Sequence, residues 1–86
     1  AQVYSFGANS ATLTVACPAG RAAIGGGGRI PAGGGNIAIR QLYPVTGATN
    51  GTAAGTDPTD GQVADGYTAV FSGADANNRV WVICGP

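Results

Sequence analysis

The chain reads as an all-β protein, a small antiparallel β-sandwich or barrel of about six short strands stapled by one disulfide. Three observations lead there. Apolar residues alternate along short runs, as a half-buried strand requires. No window of a dozen residues carries apolar side chains at the i, i+3, i+4, i+7 spacing of a helix, and 16 of the 86 residues are glycine. The only two cysteines, Cys17 and Cys84, close strand-like runs near opposite ends of the chain.

The runs follow in order. Val3, Tyr4 and Phe6 lie in a short opening segment. Over 11–17, Leu13, Val15 and Cys17 share one face, with Thr12, Thr14 and Ala16 on the other. The segment 21–24 is expected to stop at the glycine run 25–28. Over 36–43, Ile37, Ile39 and Tyr43 fall on one side, and Pro44, which lacks a ladder donor, is expected to end that strand. Two later strands group Tyr67 with Ala69 and Phe71, and Val80 with Val82 and Cys84. The polar connection 72–78, with Gly73, Asn77 and Asn78, reads as a hairpin between them. Because each cysteine shares a face with core-type residues, a bond between them belongs inside the core.

The segment 46–65 breaks this rhythm, with Val63 its one large apolar residue besides alanines. A loop of this length is uncommon in a compact domain and commonly carries function. It is expected to be a partly ordered excursion from a single β domain spanning 1–86.

Composition narrows the class. The 86 residues leave room for one small domain. Leu, Ile, Val and Phe supply only 16 of them, just under the ~20% that warns of disorder. Four arginines balance four aspartates, so the high net charge of a disordered chain is missing. The core is thin and needs a staple. Closing a loop of about 68 residues is worth about 4.4 kcal/mol in the chain-entropy description, before native strain is subtracted. The other use of the cysteines is as two buried free thiols in a reducing compartment. Two cysteines without histidine supply too few ligands for tetrahedral zinc.

Lys, His, Met and Glu are absent altogether. Without a basic excess there is no electrostatic footprint for nucleic acid. No apolar stretch approaches the ~20 residues that span a bilayer, so no membrane insertion is expected. The opening Ala1-Gln2-Val3 fits a mature, processed terminus or an excised domain. The expected location is secreted, on an extracellular surface.

Candidate chemistry is sparse. The glycine runs 25–28 and 33–35 lack the lysine and the helix of a phosphate loop, so they read as a glycine-rich strand edge or bulge closely approached by another backbone. Asp57, Asp60 and Asp65 are candidate calcium ligands, although their spacing matches no EF-hand and aspartate in a turn is the plainer reading. Ser5, Ser10 and Ser72 have no histidine or lysine to act as base, so neither enzymatic activity nor a cofactor is expected. Trp81, Tyr67, Tyr43 and Phe6 are the candidate binding or interface residues. Aromatics stack on sugars and anchor protein interfaces, or else form a second core layer. Arg21, Arg29, Arg40 and Arg79 are expected to solubilise the strands or pair with aspartates. Asn50-Gly-Thr52 is a glycosylation sequon that matters only in a eukaryotic secretory host.

The segments Cys17-Pro-Ala-Gly-Arg-Ala-Ala-Ile-Gly-Gly-Gly27, Gln41-Leu-Tyr-Pro44, Gly66-Tyr-Thr-Ala-Val-Phe71 and Arg79-Val-Trp-Val-Ile-Cys84 resemble a small secreted bacterial two-cysteine β-module. Such modules occur in actinobacterial extracellular proteins and phage-tail-like proteins. The resemblance spans nearly the whole chain and is specific only at its cysteine-anchored ends. It implies a Cys17–Cys84 bond and a non-enzymatic surface role, and it transfers no site residues.

The expected function is a structural or interaction module that self-associates, as a homo-oligomer or polymer, through strand edges and the segment 2–6. Only 9% of residues are charged, so those edges are weakly guarded. The rival is a carbohydrate-binding module that takes a surface glycan with Trp81, Tyr67, Tyr43 and the loop carboxylates.

Overall fold

Alternation becomes six strands: β1 (Gln2–Gly7), β2 (Thr12–Ala16), β3 (Ala23–Arg29), β4 (Ile39–Val45), β5 (Gly66–Phe71) and β6 (Arg79–Cys84). The computed structural model describes residues 1–30 and 36–86, and the glycine run 33–35 lies outside the described residues. The strands form two three-stranded antiparallel sheets, β1-β6-β3 (sheet I) and β2-β5-β4 (sheet II). The sheets face each other as an open sandwich, with β1 over β2 and β3 over β4. There is no helix among the described residues.

The core lies between the sheets. Leu13 and Val15 of β2, Ala69 and Phe71 of β5, and Val80, Val82 and Cys84 of β6 are all buried, which is the face grouping the period-two pattern requires. Tyr4, Phe6 and Tyr67 pack against this cluster as partly buried walls. Cys17, at the end of β2, is bonded to Cys84, at the end of β6, with a Cα–Cα distance of 5.9 Å. The bond therefore joins the two sheets at one end, with Cys84 fully buried and Cys17 half-buried.

Four local expectations change. The glycine run does not stop the strand, because β3 continues to Arg29. Its inner face needs glycine: a Cβ at Gly26 would stand 2.5 Å from Tyr67 Cγ, so the ring of sheet II occupies the space a side chain would fill. The bulge expected there exists, between Ala23 and Gly25, and β3 is an edge strand. What approaches Gly26 closely is a side chain and not another backbone. Pro44 does not end β4, which runs on to Val45. β4 is also an edge strand, where a missing N–H costs no ladder bond.

The third change is in face assignment. A register shift between Ile39 and Gln41 puts Ile39 opposite Phe71 on the inner face and Tyr43 opposite Thr68 on the outer one, so these two do not share a side. The fourth concerns 72–78. β5 and β6 lie in different sheets, so this connection is an arch across the sandwich and not a hairpin. Its anchor is Asn78, fully buried, whose Nδ2 donates to the carbonyls of Ser10 (3.1 Å) and Gly73 (3.0 Å). One side chain thus ties together the two turns at that end.

The segment 46–65 folds back over the outer face of sheet II. Thr14 and Gly51 exchange backbone hydrogen bonds (2.9 and 3.1 Å), and the Thr46 N–H donates to the Thr56 carbonyl (2.9 Å). Thr14 and Thr68, cross-strand partners on the outer face, are thereby buried beneath the loop. Val45 is fully buried there too, with Gly55 close enough that a Cβ would stand 2.6 Å from the valine. Sheet II is therefore covered on its inner face and over part of its outer one, while among the described residues no segment is bonded across the outer face of sheet I.

Candidate functional site

Two surfaces gather the residues expected to bind. The first is the outer face of sheet I with the free edge of β1. On β6, Arg79, Trp81 and Ile83 alternate outward, opposite Gly7, Ser5 and Val3 of β1 and Arg29, Gly27 and Gly25 of β3. Trp81 is half-buried between two small partners, Ser5 and Gly27. Val3 is 55% exposed and Ile83 37%, while Ile24, in the adjoining bulge, is 64% exposed. One end of this face is apolar.

The other end is basic. Arg29 and Arg79 are direct cross-strand partners, an arrangement that repels. Arg79 turns toward β1, its Nη1 donating to Ser5 Oγ at 2.8 Å. Arg21, at the opposite end beside Gln2 and Cys84, is likewise held by neutral oxygens: Nε donates to the Gly85 carbonyl (2.7 Å), and Nη1 to Gln2 Oε1 (2.5 Å) and Tyr4 Oη (3.0 Å). Its guanidinium lies 5.7 Å from the centre of the Tyr4 ring, within the range of a cation–π contact. Arg21 and Arg79 are structural ties between strands, not the partners of aspartates.

The strand edges differ in protection. Along the free side of β2, Thr14 bonds Gly51 and the Ala16 N–H donates to Asn50 Oδ1 at 2.7 Å. β4 carries Pro44 and a bulge, and β3 carries a bulge. Among the described residues, β1 has no proline, no bulge, no charge and no loop bonded along its free side.

The second surface is an open cleft of 680 Å³ at the outer rim of β4, lined by Gln41, Leu42, Tyr43, Pro44, Asp57 and Pro58. Gln41 and Tyr43 share the outer face, and Asp57 reaches the cleft from the loop. Asp57 follows the Thr46–Thr56 bridge directly. Beyond it, Thr59 and Gln62 exchange bonds, the Thr59 N–H donating to Gln62 Oε1 (3.0 Å) and the Gln62 N–H to the Thr59 carbonyl (2.9 Å). The Asp57 backbone thus sits between two fixed points, next to a proline whose φ is locked.

The sequence candidates separate accordingly. Trp81 is on sheet I and Tyr43 in the cleft, and they do not meet. Tyr67 and Phe6 are walls of the core and not surface platforms, because Tyr67 faces inward over Gly26 and Phe6 pairs with the inward residue Val80. The three aspartates also part. Asp57 lines the cleft, Asp60 is exposed, and Asp65 accepts the Ala48 N–H at 2.9 Å, a bond across 17 positions that ties the loop to the start of β5 and not a local turn bond. Among the described residues no three His, Cys, Asp or Glu side chains converge as a metal site would require. Sequence reading singles out neither Gln41 nor Ile83 as a surface contact, while Val3 falls within the segment 2–6 expected to self-associate. For Gln41 the available signal is its place two residues before Tyr43, the strand repeat that sets both on one face. Compared with protein-family models, with curated proteins and with solved structures, the chain matches none.

Proposed function

We propose that the chain is a secreted, non-enzymatic structural or interaction module that associates with further copies of itself through the β1 edge. The observation that carries this reading is the contrast among the four edges: β2, β3 and β4 each bear a guard, and β1 bears none. An unpaired strand of this kind is a template for another strand. Antiparallel pairing of β1 with the β1 of a second copy across a two-fold axis is self-complementary by symmetry. It would extend sheet I from three strands to six. β1 itself carries no charged residue, and the chain's net charge is zero.

The flanking surface favours the same occupant. Val3 and Ile83 lie on the outer face beside that edge, so pairing there covers part of their exposed apolar surface with the strand of the second copy. The disulfide belongs to an oxidising environment, and the resemblance of the cysteine-anchored ends to secreted bacterial modules agrees with a surface role.

The test is mass against concentration by size exclusion with light scattering. The mass of the wild-type chain is expected to rise above the 8.3 kDa of one copy with increasing concentration. Val3→Lys, which puts a charged guard on that edge, should hold it at one copy. A wild-type chain that stays monomeric at millimolar concentration overturns the reading.

A further inference from the structure

The cleft at the rim of β4 takes no part in that association. β1 and β4 are edges of different sheets, and β1 stacks over β2 while β4 stacks under β3, so the two surfaces lie at opposite corners of the sandwich. We infer that this cleft is a binding site for a neutral saccharide, with Tyr43 as the stacking surface and Asp57 and Gln41 as the hydrogen-bonding groups.

Four features select that chemistry. Gln41 and Tyr43 stand two strand positions apart on one face, roughly 6.7 Å. That is the scale of one pyranose ring, so an amide and an aromatic side chain meet the same sugar unit. Tyr43 is half-buried, which anchors the side chain and leaves part of it open. Aromatic surface of this kind is matched by the C–H face of a sugar, whose apolar side lies between polar edges. Asp57 is an acceptor for two neighbouring hydroxyls, and a hydrogen bond to an ionised acceptor is stronger than one between neutral groups. Gln41 supplies both donor and acceptor.

The lining also excludes competitors. The one charged side chain in its lining is Asp57, so an anion would meet a like charge there. A wholly apolar ligand would desolvate the carboxylate without compensation. Calcium needs several oxygen ligands, and one carboxylate with one amide does not provide them. The volume of 680 Å³ falls within the roughly 300–1,000 Å³ of small-ligand sites. The site is also prepared in advance. The Thr46–Thr56 bridge on one side of Asp57 and the Thr59–Gln62 pair on the other fix the loop backbone that carries it before any ligand arrives, which lowers the ordering cost of binding.

The experiment is a titration of the isotope-labelled chain, followed by amide NMR, with four neutral trisaccharides (chitotriose, cellotriose, maltotriose and mannotriose) and separately with choline. The expected result is saturable shift changes with at least one trisaccharide, confined to 41–44 and 56–59. Tyr43→Ala should abolish them, and Asp57→Asn should weaken binding about tenfold. Trp81→Ala should leave them unchanged, and all three variants should keep the wild-type spectrum elsewhere. Three results overturn the assignment: silence with all four sugars at millimolar concentration, shifts centred on Trp81, or a response to choline alone. Because these readouts follow monomeric chain at low concentration, they stand or fall apart from self-association.

Discussion

Thr14 and Thr68 can be assigned their protons from the identity of their partners. Thr14 Oγ1 lies 2.6 Å from the Ala53 carbonyl, which only accepts, so the Thr14 proton points there. The bond of 2.7 Å between the two hydroxyls must then be donated by Thr68. Thr68 Oγ1 in turn accepts the Gly55 N–H at 3.1 Å. A continuous run of donors leads from the loop, through the sheet and back to the loop. Thr68→Val removes its middle link, leaving the Gly55 N–H and Thr14 Oγ1 each without that partner. The expected cost is about 1–3 kcal/mol, and amide exchange at Gly55 and Gly51 should accelerate more than exchange in β6. Uniform acceleration would contradict the local account. At Gly26 the contact is steric. Gly26→Ala should destabilise by about 1–3 kcal/mol, since its Cβ meets the Tyr67 ring. Gly27→Ala, with nothing within 4 Å of the added carbon, should be neutral or slightly stabilising. Denaturant unfolding of the two variants reads the difference directly.

At the scale of elements, what is local is legible and what depends on a neighbour is not. The inward faces of β2, β5 and β6 follow from the period-two placement of Leu13 with Val15, Ala69 with Phe71, and Val80 with Val82, because alternation is a property of each strand alone. The pairing of β5 is not. Residues 72–78 have the composition of a turn, and a turn's composition does not say whether the next strand joins the same sheet or the opposite one. Pro44 and the glycine run look like strand breakers until β4 and β3 are known to be edges, where a missing donor or side chain is tolerated. Thr14 and Thr68 alternate with the core residues of their strands, which does not by itself bury them, and only the return of 46–56 over sheet II does. The cleft is hidden for the same reason. Tyr43 was visible as a candidate, but its meeting with Asp57 needs the loop to come back across β4. The bulge near Ile39 also reverses the side on which plain alternation places Tyr43.

For the whole molecule, the disulfide and the open edge are the two consequential features. Cys17–Cys84 spans a sequence separation of 67 and crosses from sheet II to sheet I. Both sheets have only three strands, and the shared core is one layer of mostly small side chains. Replacing both cysteines by serine should therefore lower stability by about 2–4 kcal/mol, seen as a lower thermal midpoint that reductant no longer shifts. A midpoint equal to that of the oxidised wild type would show that the two sheets hold together without the bond. The edge bears on the proposed function, since β1 is the edge of sheet I that carries no proline, bulge or charge. Amide hydrogen exchange of β1, measured at micromolar and at millimolar concentration, tests this most directly. Protection that increases with concentration within 2–7, while β2 and β4 stay constant, is the predicted result. Exchange across β1 that is independent of concentration would contradict it.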